Sequence, residues 1–196
     1  LKEIAAVLAA VGDEGAARYA AEAEAYRADI NASLQRSILR EMEPPFVPAM
    51  AGRHEPCRSL TESVPASYAN YRFYPELLSA GLLAPEQADA VLRHRWSHGG
   101  DLLAMTRFCG QLDDWPVSHY AWGLLEADQV DRFRLLLYAH LLHHQSRGTF
   151  SAYEQVAFDP KGSRARSHVA DYCVCSQLIV PLMLKWMLAW EPWDEE

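Results

Sequence analysis

Gly81-Leu82-Leu83-Ala84-Pro85-Glu86-Gln87-Ala88-Asp89 and Gly123-Leu124-Leu125-Glu126-Ala127-Asp128-Gln129-Val130-Asp131 share the pattern G-L-L-x-x-[DE]-Q-x-D. A glycine in the turn region and an acid in the first turn of the next helix are the chemistry of a tight helical hairpin. The match reads either as an internal repeat or as that chemistry arrived at twice. Around it the chain is helical in pattern. Asp13 caps a segment in which Ala16, Tyr19, Ala20, Ala23, Tyr26, Ile30, Leu34 and Ile38 recur at three- and four-residue steps, an amphipathic stripe. Residues 1–11 form a short apolar helix closed by Gly12, which makes a first hairpin. Further helices are predicted over 68–81, 85–96, 117–126, 128–145 and 167–190. Strand signal is confined to Phe46-Val47 and 102–108.

The connections alternate in length. Those near Gly12, 82–84 and Ala127 are very short, whereas 41–67, 97–116 and 147–166 far exceed the usual 2–8 residues between packed helices. If helices run up and down, the three long connections share one face. The helices entered from them are the more apolar, and 85–96, with Asp89, Arg93 and Arg95, is the more charged, so an inner and an outer ring follow. Solenoids usually keep both connections short; toroids carry elaborate loops on one face. The expected fold class is therefore all-α, helical hairpins in part of a toroid, with 1–196 as a single unit.

Composition excludes other classes. Among 196 residues, 18 Lys+Arg against 26 Asp+Glu leave a net charge of −8, so no nucleic-acid partner is expected. Half the residues are apolar and 11% aromatic, ordinary for a folded core. The most apolar run, 178–190, is interrupted by Pro181 and Lys185 and is too short to span a bilayer, so it reads as a buried helix. Cys57, Cys109, Cys173 and Cys175 contain no C-x-x-C pair and leave the compartment open. The chain starts at Leu1 in a helical pattern, which reads as a processed or truncated start.

Glu154 is the first candidate for chemistry, one carboxylate among Phe150, Tyr153 and Phe158; the bland alternative is a capping box, Ser151-x-x-Glu154. Glu62, in the box-shaped Ser59-Leu60-Thr61-Glu62, is weaker. In Asp113-Asp114-Trp115-Pro116, Asp114 is placed to be the N-cap of the next helix and Asp113 is the spare carboxylate. Two adjacent acids in a dry cleft could hold one protonated for acid work, though solvated loop acids are the preferred account of this pair. Aromatic rings with a polar handle suit sugar faces, and Trp115, Tyr120, Trp122 and Tyr153 are the substrate-binding candidates on the loops and inner helices. His140 and His144 stand at i, i+4 on an outer helix and would suit a metal. With no third ligand implied nearby, a histidine cluster beside the helix C-terminus is preferred, and no metal or cofactor is expected.

The last third resembles the six-hairpin, (α/α)6-toroid glycosidases, in particular the bacterial α-L-rhamnosidase-like members. It carries Tyr153-Glu154 on a loop, then Gly162, then Ser167-His168 opening a long aromatic-rich helix to Trp190. The resemblance implies that Glu154 is the general base that activates water and that His168 contacts substrate. It implies a carbohydrate substrate and a carboxylate pair, most simply in an inverting hydrolase. The partner acid would be Asp113, then Glu62, or a residue upstream. Such a toroid has twelve helices where seven are read here, so the chain is expected to be its C-terminal part, partnered by the missing N-terminal segment of the same protein. Tyr153 stands where a tryptophan is common, and Ser167-His168-Val169 departs from the usual polar run. The same toroid hosts polysaccharide lyases, for which Tyr120, Tyr153 or His168 would serve as base. A non-catalytic helical scaffold is the third reading, marked by an apolar groove without an acid-bearing pocket.

Overall fold

A computed structural model of the chain describes residues 1–52, 56, 58–146, 148–158, 164–166 and 172–190. The helices are α1 (Lys2–Ala10), α2 (Ala16–Ser37), α3 (Val64–Tyr68), α4 (Tyr74–Leu78), α5 (Pro85–Ser97), α6 (Val117–Glu126), α7 (Val130–His143) and α8 (Val174–Leu188); all but α3, which forms at the end of the first long connection, fall in segments read as helical. A π-helical turn, Ala69–Phe73, joins α3 to α4. Its wider pitch brings Asn70 into the interior while Tyr71 stays half-buried and Arg72 stays at the surface. The start of the last helix as read, at Ser167, lies outside the described residues. No helix among them is long and apolar enough to cross a membrane.

The all-α reading is corrected. The fold is mostly helical, and the second and third long connections build a small antiparallel sheet, β1 (Asp101–Leu102), β2 (Met105–Phe108), β3 (Gln111–Asp113), β4 (Gln155–Phe158) and β5 (Arg164–Arg166), in that spatial order. The turn between β1 and β2 is Leu103-Ala104, both at positive φ, as a type I′ hairpin demands. Asn-Gly would have announced that turn; Leu-Ala does not. Cys109 likewise turns into β3 at positive φ. The β3–β4 pairing joins the second long connection to the third, and Leu60 N–H donating to His98 C=O joins the first to the second. The three long connections therefore meet one another.

Helix α6 is the hub, packing on α4, α7 and α8. Val117, Tyr120, Ala121 and Leu124 are fully buried on it. Gly123 lets α4 approach, because a Cβ there would sit 2.6 Å from the Leu78 Cβ. The two glycines of the opening motif thus have different roles: Gly81 takes a left-handed turn conformation with open space around it, while Gly123 is a packing position inside α6. The acids differ as well, since Glu86 lies in the first turn of α5 whereas Asp128 lies in the turn before α7 at positive φ. Local hairpin chemistry, not structural repetition, accounts for the match.

The 178–190 segment is not a buried helix. Helix α8 buries Ser176, Ile179 and Met183 and leaves Val174, Leu178, Leu184, Met187 and Leu188 exposed, the last at 90%. Ile4, Val7 and Val11 are exposed at the α1 edge.

Helix α5, read as a charged outer helix, carries two buried polar side chains, Arg95 and His94. His94 lies edge-on to Phe46 and 4.2 Å from the His98 ring by centroid. Burial first, and His98 second, push it down to about 4. The unfolded chain then takes up a proton near 6.5 that the folded chain refuses until about 4, so this group's stability is lost as pH falls through that window. Urea midpoints at about pH 7 and about pH 5 are expected to converge in His94→Phe relative to wild type. His140, pushed in the same direction, leaves a residual slope.

Candidate functional site

The site grows from the β3–β4 register. Asp113 pairs with Gln155, and Asp114 N–H donates to the Glu154 carbonyl at 3.2 Å. This brings the two adjacent acids of one long connection against the single acid of the other. Successive residues of an extended chain face opposite sides. Asp113 accordingly accepts from Gln155 Nε2 at 2.6 Å and Trp115 N–H at 3.0 Å. Asp114 instead turns into the helices, where it accepts from Ser176 Oγ. Its Oδ2 lies 3.1 Å from His144 Nδ1 and 3.4 Å from His140 Nδ1. The two imidazoles are parallel, 5.3 Å apart by centroid, and anchored by carbonyls, His140 Nε2 on Ser176 and His144 Nδ1 on Tyr153.

Above this buried layer Glu154 is partly exposed, and among the described residues no side-chain or backbone group hydrogen-bonds its carboxylate. Tyr71, from the π turn, is close enough to feel the Glu154 charge, and Trp115 follows Asp114, whose N–H holds the Glu154 carbonyl. The Arg72 guanidinium sits 5.2 Å from the Trp115 ring centre, and Tyr71 stacks edge-on with Phe108 and against Tyr68.

The electrostatics follow from crowding three acids. Burial, reinforced by Asp114 and Glu154 against the pull of Gln155 and the Trp115 N–H, raises Asp113 to about 6. Burial and then Asp114 raise Glu154 above the usual carboxylate range. The Tyr71 phenol is pushed up to about 12 by burial first and then by Asp113. Below, burial pushes His140 down to about 4 despite Asp114. At His144 burial pulls down, but Asp114 and the Tyr153 carbonyl outweigh it and hold the imidazole above its ordinary value.

The sequence candidates divide accordingly. Glu154 opens no helix, so the capping-box reading fails: Ala152 bridges Gln145 and β4 follows at once. Asp113 and Asp114 exchange the places expected of them. Asp113 is the one that ties a backbone N–H, and Asp114 caps nothing with its side chain, the N-cap of α6 being Pro116. Glu62 accepts from Ser59 N–H, the box it was shaped for, and lines a separate cavity of about 880 Å³ with Phe46, Met50, Leu60 and Tyr74. Trp115 and Tyr153 stay with Glu154, Tyr153 stacked on Tyr172. Tyr120 is corrected from substrate contact to core: it is fully buried, donates to Asp101, accepts from Trp96 Nε1 and lies under Arg95. Trp122 is half-buried, packing on Trp186 and Trp190 where α6 meets α8 and lining a cavity at the short turns. His168 lies outside the described residues. Sequence reasoning found the His140/His144 spacing but put the pair on an outer face without a third ligand; both are sealed, and Asp114 stands against them. No family model, curated protein or solved structure matches the chain.

Proposed function

We propose that the chain belongs to a glycoside hydrolase built on an (α/α)6 toroid, with Glu154 as the general base. One observation carries the reading: a carboxylate raised in pKa, partly open to solvent and without a hydrogen-bond partner among the described residues, stands near Tyr71 and next to Tyr153 in the chain, where the second and third long connections pair. A base that holds water must keep its lone pairs free for it, and flat rings nearby suit the faces of a sugar. Asp113 is a poor partner acid as it stands, fully buried with both oxygens accepting. In this reading it raises no proton to the leaving group but sets the field around Glu154 and Tyr71, and the acid comes from a carboxyl outside this group. The lyase reading loses one of its bases, because Tyr120 is sealed in the core and pushed up to about 12 by burial first.

The test is hydrolysis of aryl glycosides of rhamnose, glucose and arabinose by the full-length protein, with the anomer of the released sugar followed by proton NMR. Release with inversion is expected. Ultraviolet-absorbing unsaturated ends from uronate polysaccharides, with no glycoside cleaved, would replace hydrolysis by elimination.

A further inference from the structure

Beneath Glu154, the structure assigns a buried binding site for one divalent transition-metal ion of the zinc class to Asp114, His140 and His144. One nitrogen of each imidazole and one carboxylate oxygen lie within 4.8 Å of one another, and all three side chains are sealed from solvent. The inference is independent of the glycosidase reading.

The donor geometry is what carries it. His140 Nε2–H donates to the Ser176 carbonyl at 2.9 Å, which fixes the tautomer and turns a bare Nδ1 lone pair toward Asp114 Oδ2. Two acceptors then face each other at 3.4 Å in the interior; His140 Nδ1 has no hydrogen-bond partner among the described residues, and the donor nearest Asp114 Oδ2, His144 Nδ1 at 3.1 Å, is shared with the closer Tyr153 carbonyl at 2.8 Å. That arrangement is costly unless something positive lies between them. Two ligands each about 2.0–2.1 Å from a tetrahedral ion are separated by about 3.3 Å, the spacing seen here. His144 is anchored through Nδ1 on the Tyr153 carbonyl and keeps a second buried nitrogen, Nε2, without a partner. Its i, i+4 relation to His140 sets both rings on one face at the end of α7.

The outer contacts are those a metal centre uses. Each imidazole hands its other N–H to a main-chain carbonyl, and Ser176 Oγ holds the second oxygen of Asp114. Two imidazoles and one carboxylate favour zinc, cobalt or nickel over magnesium or calcium, which take oxygen donors. An ion here ties the end of β3, the end of α7 and the start of α8 together directly below Glu154. The competing account is a plain buried ion pair between Asp114 and a charged His144.

The experiment strips the protein with a chelator, returns Zn(II) or Co(II), and reads bound metal by inductively coupled plasma mass spectrometry, Tm by calorimetry and Co(II) d–d absorption. One ion per chain, a Tm rise of about 5–10 °C and intense tetrahedral Co(II) bands are expected. Asp114→Asn and His140→Gln should each lower affinity at least about tenfold, while His119→Ala, on the surface of α6, should leave it intact. Should those variants unfold, His144→Cys keeps a ligand and is expected to retain Co(II) with a new thiolate charge-transfer band. Failure of the wild type to hold stoichiometric metal would leave the ion pair alone and overturn the proposal. So would metal retained undiminished in the Asp114 and His140 variants, which would move it to another donor set such as Cys173 and Cys175.

Discussion

Glu154→Gln is expected to lower turnover by about 10²- to 10⁴-fold while leaving the fold as stable as wild type or slightly more so. The amide keeps the volume and the polarity but cannot take a proton from water. Because the carboxylate accepts no hydrogen bond among the described residues, nothing structural is removed with it. Its neighbours are also acids, and Asp113 is pushed up in part by Glu154 itself, so neutralising it relieves repulsion. The acid limb of the wild-type pH–rate profile should lie above the ordinary carboxylate range, since burial and then Asp114 hold Glu154 up, and that limb should vanish in the variant. Thermal melts run beside the assay separate this from a structural glutamate. A variant that loses stability and keeps its turnover would remove Glu154 from the mechanism.

The largest expected loss of stability belongs to Asn70→Ala, about 3–5 kcal/mol in a urea titration. Asn70 is sealed from solvent, and its amide donates to Gly100 C=O at 2.7 Å and Arg107 C=O at 2.6 Å while its oxygen accepts from Arg95 Nε at 3.1 Å. Truncation takes a donor from two carbonyls, of which Gly100 C=O keeps the Arg107 N–H at 3.0 Å, and takes an acceptor from a fully buried guanidinium, whose other fixed contacts are Thr106 Oγ1 and the face of Tyr120. The cost should be context-dependent: in an Arg95→Met background the same truncation is expected to cost clearly less, as the stranded charge is gone. A single-variant loss under about 1 kcal/mol would mean that the network is solvated and structurally idle.

What the sequence determined by itself is the helical layout and the convergence of long connections. Both rest on local physics: three- and four-residue apolar steps from Ala16 to Ile38, Pro85 opening α5, and connections too long to be simple turns. Glu154, Asp113 and Trp115 were legible as candidates because they are acids and an aromatic on long connections, though capping and solvation are ordinary uses of the same residues. The tertiary structure decided the rest. The hairpin at Leu103-Ala104 takes a conformation usually announced by Asn-Gly, so the strands it joins gave little local signal. Arg95 looks solvated on a helix that also carries Asp89 and Arg93, which do pair at the surface at 2.7 Å; only the π turn that aims Asn70 inward makes its burial tolerable. Tyr120 and Trp122 share α6 with no sequence mark to separate core from cleft, and the packing of α4, α7 and α8 around that helix seals Tyr120 and leaves Trp122 half-buried at a cavity. His140 and His144 announce their spacing, but a helix does not say which of its faces is buried against what. Asp114 reaches them across 26 and 30 residues of chain, because β3 pairs with β4 and turns one of two adjacent acids inward, a relation no local pattern encodes.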